Sequence, residues 1–155
     1  MTSIIMPVWI INQELLQLTM DAISSLRGIK DADDTELIVI DNGSPLGGDI
    51  MQTLADVYLR NKENLGYPAA VNQGFKLAKG DIIAVANNDI RVSSNWLHLA
   101  KQIMQFEEVG MLHFKMIPYD EDIKLGKDVW IKGKERWTTG SFWVIKKEAI
   151  PEGGF

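Results

Sequence analysis

Three short segments of the chain place side chains that can bind a ligand directly after an apolar stretch. They are Pro7-Val8-Trp9, Asp41-Asn42-Gly43-Ser44 and Asn87-Asn88-Asp89. Carboxylates and amides can accept hydrogen bonds or ligate a cation, and an indole offers a flat apolar surface. The chain has no cysteine and only two histidines, which excludes thiolate nucleophiles, thiolate metal sites and disulfides. The pattern therefore favours recognition of a polar ligand.

The elements that must position these segments alternate between strand and helix. Continuous apolar runs are typical of strands covered on both faces, and apolar residues at helical spacing predict amphipathic helices. Asn12 is a predicted N-cap, Gly28 a C-cap, and Pro68 suits the first turn of a helix. The predicted strands are Ser3–Trp9, Glu36–Asp41, Tyr58–Asn61, Asp81–Ala86, Met111–Met116 and Ser141–Lys146. One predicted helix begins after Asn12 and ends near Gly28. The other predicted helices cover Ile50–Val57, Pro68–Ala78 and Trp96–Phe106.

Repeated strand–helix units predict an α/β fold with a doubly wound, mainly parallel sheet of the Rossmann-like kind. In such sheets, ligands bind outside the carboxyl ends of the strands, where the strand order reverses. All three segments lie at the carboxyl ends of predicted strands, so the topology should bring them to one edge. This convergence is the main physical indication of a binding site.

Each segment also has a purely structural interpretation. Asp41 begins a turn, and aspartate in a turn usually stabilises that turn. Asn87-Asn88-Asp89 can be a polar turn that caps a later helix, and Trp9 taken alone fits a core position. We favour a ligand site because all three segments are expected at the same edge.

Composition and missing motifs exclude several functions. The net charge is -5 and no basic stripe is visible, which argues against nucleic-acid binding. The chain lacks the dinucleotide fingerprint, the phosphate-binding P-loop and the nucleophile elbow of α/β-hydrolases. Its apolar run at residues 4–11 is too short to span a bilayer and has no basic segment before it, so we expect a cytoplasmic chain.

Five segments, in the correct order, resemble the inverting family 2 glycosyltransferases of GT-A fold. The resemblance covers nearly the whole chain and lies in an opening strand, a strand with its aspartate, an N-x-G…N-x-G helix, a D-x-D-like triplet and a Gly-Gly-Phe tail. These correspond to Ser3–Trp9, Leu37–Ser44, Asn64–Gly74, Ala78–Asp89 and Thr139–Phe155.

This resemblance implies a role for each site residue. Pro7, Val8 and Trp9 would line the pocket for the nucleotide base, and Asp41 would accept a hydrogen bond from the base or ribose. The remaining nucleotide-site residues would be Gly66, Asn72, Asn87 and Asn88, with a divalent Mn²⁺ or Mg²⁺ held by Asp89. Such cations favour oxygen ligands and often combine few carboxylates with phosphates.

The implied activity is transfer of a sugar from a nucleoside-diphosphate sugar to an acceptor hydroxyl with inversion, in polysaccharide or glycan synthesis. The donor is expected to be a UDP- or dTDP-sugar in preference to a GDP-sugar. Residues 1–155 would form one domain, with a donor-binding half at about 1–116 and the start of an acceptor-binding half at 117–155. Trp137 and Trp143 are candidates for stacking on sugars, with packing as the alternative.

The sequence departs from the family pattern at three places. Asn87 stands where the triplet usually has an acid, and Val71 stands where some relatives carry an arginine. The family's catalytic aspartate follows the Gly-Gly-Phe segment, whereas this sequence stops at Phe155, so we expect a C-terminally truncated enzyme. The acidic run Asp120–Asp122 is interpreted as a solvated loop, and we nominate no catalytic base.

Two other functions stay open at this point. The first is a non-catalytic module that binds a nucleotide sugar without turning it over. The second is a nucleotidyltransferase, which we rank last because no glycine-rich phosphate loop follows the first strand.

Overall fold

The computed structural model of the chain describes residues 1–29, 34–114, 129–130 and 142–154. It contains an alternating series of strands and helices, followed by a more irregular C-terminal part. The strands are β1 (Thr2–Val8), β2 (Thr35–Asp41), β3 (Val57–Arg60), β4 (Ile82–Ala86), β5 (Met111–Phe114), β6 (Val129–Trp130) and β7 (Phe142–Lys146). The helices are α1 (Gln13–Arg27), α2 (Gly48–Leu54), α3 (Tyr67–Leu77) and α4 (Trp96–Met104).

The strands that the described residues form make one seven-stranded sheet in the order β3-β2-β1-β4-β7-β5-β6. Strands β3, β2, β1 and β4 are parallel, with Val8 paired to Asp41 and Ile5 paired to Val85. Strand β7 lies antiparallel between β4 and β5. The predicted doubly wound, mainly parallel α/β fold is confirmed, and the antiparallel placement of β7 between β4 and β5 is a feature that the local pattern did not indicate.

Two apolar cores cover the two faces of the sheet. Alternate residues of β1 point to opposite faces, so that Ile4, Met6 and Val8 join one core while Ile5 joins the other. Helices α1, α2 and α4 pack on the first face, and α3 packs on the second. Because helices cover both faces, ligands can approach the sheet at its strand ends.

The predicted helix termini agree with the structure. Asn12 caps α1, since its Oδ1 accepts a hydrogen bond of 2.8 Å from the backbone N–H of Leu15. Gly28 is the C-cap of the same helix, and Pro68 lies in the first turn of α3. The largest boundary difference is in α2, which begins at Gly48 and ends before Val57, the first residue of β3.

The C-terminal predictions are tested only in part. The strand predicted at Ser141–Lys146 is present as Phe142–Lys146, while Ser141, Phe155, Asp120–Asp122 and Trp137 lie outside the described residues. Trp143 is 7% exposed and packs edge-on against Phe75 of α3, so its packing interpretation is confirmed. Among the described residues, no helix combines the length and apolar character needed to cross a membrane.

Candidate functional site

The reversal of strand order lies between β1 and β4. From β1 the chain passes through α1 to β2 on one side, and from β3 it passes through α3 back to β4 on the other side. In Rossmann-like sheets the crossover loops diverge at this point, and ligands bind in the crevice outside the carboxyl ends of the two strands. Trp9 follows β1 and Asn87-Asn88-Asp89 follows β4, so two of the three polar segments flank the crevice. The third follows β2, which is the next strand along.

The loop after β1 presents one aromatic side chain to solvent. Trp9 is 48% exposed, which makes its interpretation as a core residue wrong. Pro7 and Val8 are buried within β1, so of the three expected base-pocket residues only Trp9 offers its side chain to a ligand. The loop is anchored behind it, because the backbone N–H of Ile10 donates to Ser44 Oγ at 2.9 Å.

Asp41 lies at the end of β2 with a completely buried side chain, 0% exposed. Its Oδ1 accepts a hydrogen bond from the backbone N–H of Ser44 at 2.8 Å, as in a structural turn. Its Oδ2 accepts one from the Tyr58 hydroxyl at 2.6 Å and lies 3.4 Å from Arg60 Nη1. Because Asp41 is completely buried, the contact to base or ribose that the resemblance implies would require a protein group that covers its carboxylate to move.

The pKa of Tyr58 is affected by the same buried carboxylate. Burial raises the pKa of the Tyr58 phenol to about 12, and the hydrogen bond to Asp41 and the negative charge of Asp41 add to this increase. Arg60 acts in the opposite direction on the Tyr58 pKa. Tyr58 therefore places a neutral phenol beside the Asp41 carboxylate, on the face of the sheet covered by α2.

Asn42, which the sequence analysis did not single out, makes four hydrogen bonds. Its Nδ2 donates to Asn64 Oδ1 at 2.7 Å and to the Gly66 carbonyl at 3.2 Å. Its Oδ1 accepts from Asn61 Nδ2 and from the backbone N–H of Leu65, both at 3.0 Å. Proximity to Asp41 in sequence was the one available signal, because the partners lie 19 to 24 residues further along the chain.

Gly66 and Asn72 belong to α3 and its approach. Gly66 is the N-cap of α3 with φ +88° and ψ 159°, a conformation nearly restricted to glycine. A Cβ atom built there would meet no atom within 4 Å, so the surface beside Gly66 is open. Asn72 lies against Gly154, which forms a turn with Pro151 through a hydrogen bond of 2.8 Å. The C-terminal turn is thus placed beside the second asparagine of the N-x-G…N-x-G helix.

The triplet after β4 divides into three different environments. Asn88 is tied to α1, since its Nδ2 donates to Thr19 Oγ1 at 2.9 Å. Asn87 Oδ1 is buried and has no hydrogen-bond partner in the described part of the chain. Asp89 is exposed, and no hydrogen bond or ion pair joins it to any described residue. Asn87 and Asp89 therefore keep oxygen atoms that a ligand or cation can use.

Tyr67, the first residue of α3, connects this triplet to β7. Burial raises the pKa of Tyr67 to about 12, a hydrogen bond with Trp143 acts to lower it, and the charge of Asp89 raises it further. Asp89 is thus close enough to act on the Tyr67 phenol. The carboxyl end of β4, the start of α3 and β7 meet around this phenol.

The described residues do not form a cation site by themselves. No group of three or more histidine or acidic side chains lies close enough together to hold a metal in residues 1–29, 34–114 and 142–154. Asp89 and Asn87 supply one carboxylate and one amide oxygen, which is the donor chemistry that Mg²⁺ and Mn²⁺ prefer. The orphaned Asn87 oxygen fits such a cation, provided that phosphate oxygens of a ligand complete the coordination.

Comparison with known proteins identifies the family of the chain. The family model described as glycosyl transferase family 2 matches residues 3–152. The chain belongs to glycosyl transferase family 2. No curated protein sequence matches the chain.

Solved structures of GT-A glycosyltransferases show the same fold. A mannosyltransferase, PcManGT from Pyrobaculum calidifontis, in complex with GDP-Man and Mn²⁺, is 20% identical with a TM-score of 0.63, over 77% of this chain and 36% of that chain. S. aureus TarS 1–349 is 13% identical with a TM-score of 0.71, over 94% of this chain and 47% of that chain. The structure of TarS 1–349 in complex with UDP-GlcNAc is 17% identical with a TM-score of 0.63, over 75% of this chain and 34% of that chain. The family 2 chain therefore spans about a third to a half of the length of these structures.

Proposed function

We propose that this chain forms the donor-binding part of a glycosyltransferase. On this proposal it binds a nucleoside-diphosphate sugar, from which the sugar passes to an acceptor hydroxyl with inversion. The acceptor belongs to polysaccharide or glycan synthesis, and residues 117–155 contribute to its side of the site. The observation that carries the proposal is the position of Asp89 and Asn87 at the strand-order reversal in a family 2 fold, where the Asp89 carboxylate and Asn87 Oδ1 have no hydrogen-bond partner among the described residues.

The donor is proposed from the chemistry of the crevice. Trp9 presents a half-exposed indole after β1, which suits stacking against a nucleobase. Asp89 and Asn87 lie after the adjacent strand β4, where a diphosphate could bind through a shared cation. Two of the three related structures named above are complexes, one with GDP-Man and Mn²⁺ and one with UDP-GlcNAc. We propose a uridine or deoxythymidine diphosphate sugar first, with guanosine diphosphate as the competitor in the test.

The residues would divide the chemistry between them. Asp89 and Asn87 would hold Mn²⁺ or Mg²⁺, which when bound neutralises negative charge on the departing nucleoside diphosphate. Trp9 would orient the base, while Gly66 leaves its side of the pocket open and Asn72 supports the adjoining C-terminal turn. Asn88 holds the triplet against α1 and leaves its neighbours to the ligand.

Calorimetric titration with UDP, dTDP and GDP, each with Mn²⁺ and with EDTA, tests the proposal. We expect the affinity to be about ten- to hundredfold higher with Mn²⁺, the range of a strong charged contact of about 1.5–3 kcal/mol. Asp89→Ala should lower the affinity with Mn²⁺ to the value in EDTA. The matched control is Asp81→Ala, an exposed aspartate at the opposite end of the same strand β4, which should bind as the unmodified chain does.

The outcomes separate the parts of the proposal. Equal affinity with Mn²⁺ and with EDTA would remove the cation, and absence of binding to all three nucleotides would remove the donor site. Donor binding without sugar transfer to any acceptor would support a non-catalytic nucleotide-sugar-binding module instead.

A further inference from the structure

Asn42 has no hydrogen-bonding capacity left for a ligand. A primary amide offers two N–H donors and two acceptor lone pairs. All four are used, by Asn64 Oδ1, the Gly66 carbonyl, Asn61 Nδ2 and the Leu65 N–H. The side chain is 4% exposed, so water does not replace these partners. Asn42 can therefore influence ligand binding only through the protein groups that it contacts.

The partners of Asn42 fix the turn that precedes α3. Asn64 Oδ1 accepts from Asn42 and also from the Gly66 N–H, at 2.9 Å. Gly66 is consequently held from both sides, its N–H by Asn64 and its carbonyl by Asn42. Glycine can adopt several backbone conformations, so these contacts help to select its φ of +88°.

A second amide pair extends the same network to α3. Asn61 and Gln73 exchange two hydrogen bonds, each 2.9 Å long. Through Asn61, Asn42 is therefore connected to the body of the helix as well as to its N-cap, Gly66. The network consists of neutral amides and backbone groups, so its geometry does not depend on a titrating side chain.

We propose that Asn42 is a positioning residue that holds the Gly66 turn open for the nucleoside part of the donor. The inference rests on the proposed function, because it assumes that the nucleotide binds at this edge of the sheet. A Cβ atom on Gly66 would meet no atom within 4 Å, and the contacts with Asn42 and Asn64 hold the backbone in the conformation that leaves this surface open. Asn42 would act on donor affinity through Gly66 and without contact to the ligand.

Asn42→Asp is the most direct test because it preserves shape, while it removes the two donors and adds one negative charge. A carboxylate oxygen would then face Asn64 Oδ1 and the Gly66 carbonyl, both of which are acceptors. We expect UDP affinity with Mn²⁺ to fall about tenfold, as expected for loss of a turn held by two hydrogen bonds. Hydrogen exchange at the Gly66 N–H should become about tenfold faster in the nucleotide-free chain. Gln102→Glu, which adds the same charge on the exposed side of α4, is the matched control and should change neither value.

A double-mutant cycle distinguishes positioning from general loss of stability. Asn42→Asp and Gly66→Ala should each weaken UDP binding, and the double variant should bind no more weakly than the poorer single variant. Asn42→Asp combined with Asp89→Ala should instead multiply the two fold-changes, because Asp89 acts at the cation end. A general loss of stability would give the same behaviour in both cycles.

Asn64→Ala keeps the proposal testable if Asn42→Asp fails to fold. Asn64 is exposed, so its truncation should be tolerated while the Gly66 N–H still loses its acceptor. We expect UDP affinity to fall about fivefold. Unchanged affinity in Asn42→Asp or, where that variant does not fold, in Asn64→Ala would overturn the inference alone. An unmodified chain that binds no nucleotide would overturn the proposed function with it.

Discussion

Replacement of Asp41 should lower the stability of the fold far more than it changes nucleotide contacts directly. Asp41→Ala removes the acceptor for the Ser44 N–H and the Tyr58 hydroxyl, and it also removes the anion beside Arg60. Each hydrogen bond to a charged group contributes about 1.5–3 kcal/mol, which sets an upper range of about 3–6 kcal/mol for the pair. Tyr58 is only partly buried and Arg60 is half-exposed, so water can replace some of these contacts. We therefore expect the free energy of unfolding to fall by about 3–4 kcal/mol, in the lower part of that range.

Asp41→Asn should have a smaller effect for a defined reason. Its Oδ1 can still accept from Ser44, and its Nδ2 can donate to the Tyr58 oxygen, so the hydrogen bonds survive without the charge. Only the difference between charged and neutral hydrogen bonds and the contact with Arg60 are lost, about 1–2 kcal/mol. Because small domains have total stabilities of about 5–15 kcal/mol, both variants should remain measurable by urea denaturation.

The assay compares urea denaturation, followed by tryptophan fluorescence, with UDP titration of the folded protein at neutral pH. The matched control is Asp89→Ala, whose side chain is exposed and makes no hydrogen bond or ion pair with a described residue, so stability should be unchanged while UDP affinity with Mn²⁺ falls to the value in EDTA. The reasoning would be refuted if Asp41→Ala kept the stability of the unmodified chain and lost nucleoside affinity, because Asp41 would then contact the ligand.

Two further predictions concern Trp9 and Tyr58. Trp9→Ala should leave the urea midpoint nearly unchanged because the indole is half-exposed, yet lower UDP affinity about tenfold through lost stacking; unchanged affinity would place the base elsewhere. The Tyr58 phenol ionises at about 12 in the fold and near 10 when unfolded, so its contribution to stability is complete below pH 10 and disappears as the pH rises through 12. In an absorbance titration, Tyr58→Phe should lose one ionisation step near pH 12; loss of a step near pH 10 instead would contradict the raised pKa.

The order of strands and helices could be predicted from the sequence because it depends on local patterns. The apolar runs of β1, β2 and β4, the Asn12 cap and the first turn at Pro68 each involve residues close together in the chain. The edge at which the polar segments meet follows from that order by the topology of parallel sheets. Family membership rested on the same local segments.

The tertiary structure decided what each polar residue does. Asp41, Asn42 and Asp89 look alike in sequence as polar residues after apolar strands. Asp41 is buried and accepts a hydrogen bond from Tyr58, which lies 17 residues further along the chain. All four hydrogen-bonding positions of the Asn42 amide are occupied by residues 61–66. Asp89 has no described partner at all.

The same limit applies to the aromatic residues and to β7. Trp9 is exposed and Trp143 is packed on α3, although both adjoin apolar strands in the sequence. The insertion of β7 between β4 and β5 pairs Val85 with Trp143, 58 positions apart by their numbers. Periodicity reports which side of an element is apolar, whereas the partner that covers it is chosen by packing and hydrogen bonding between distant segments.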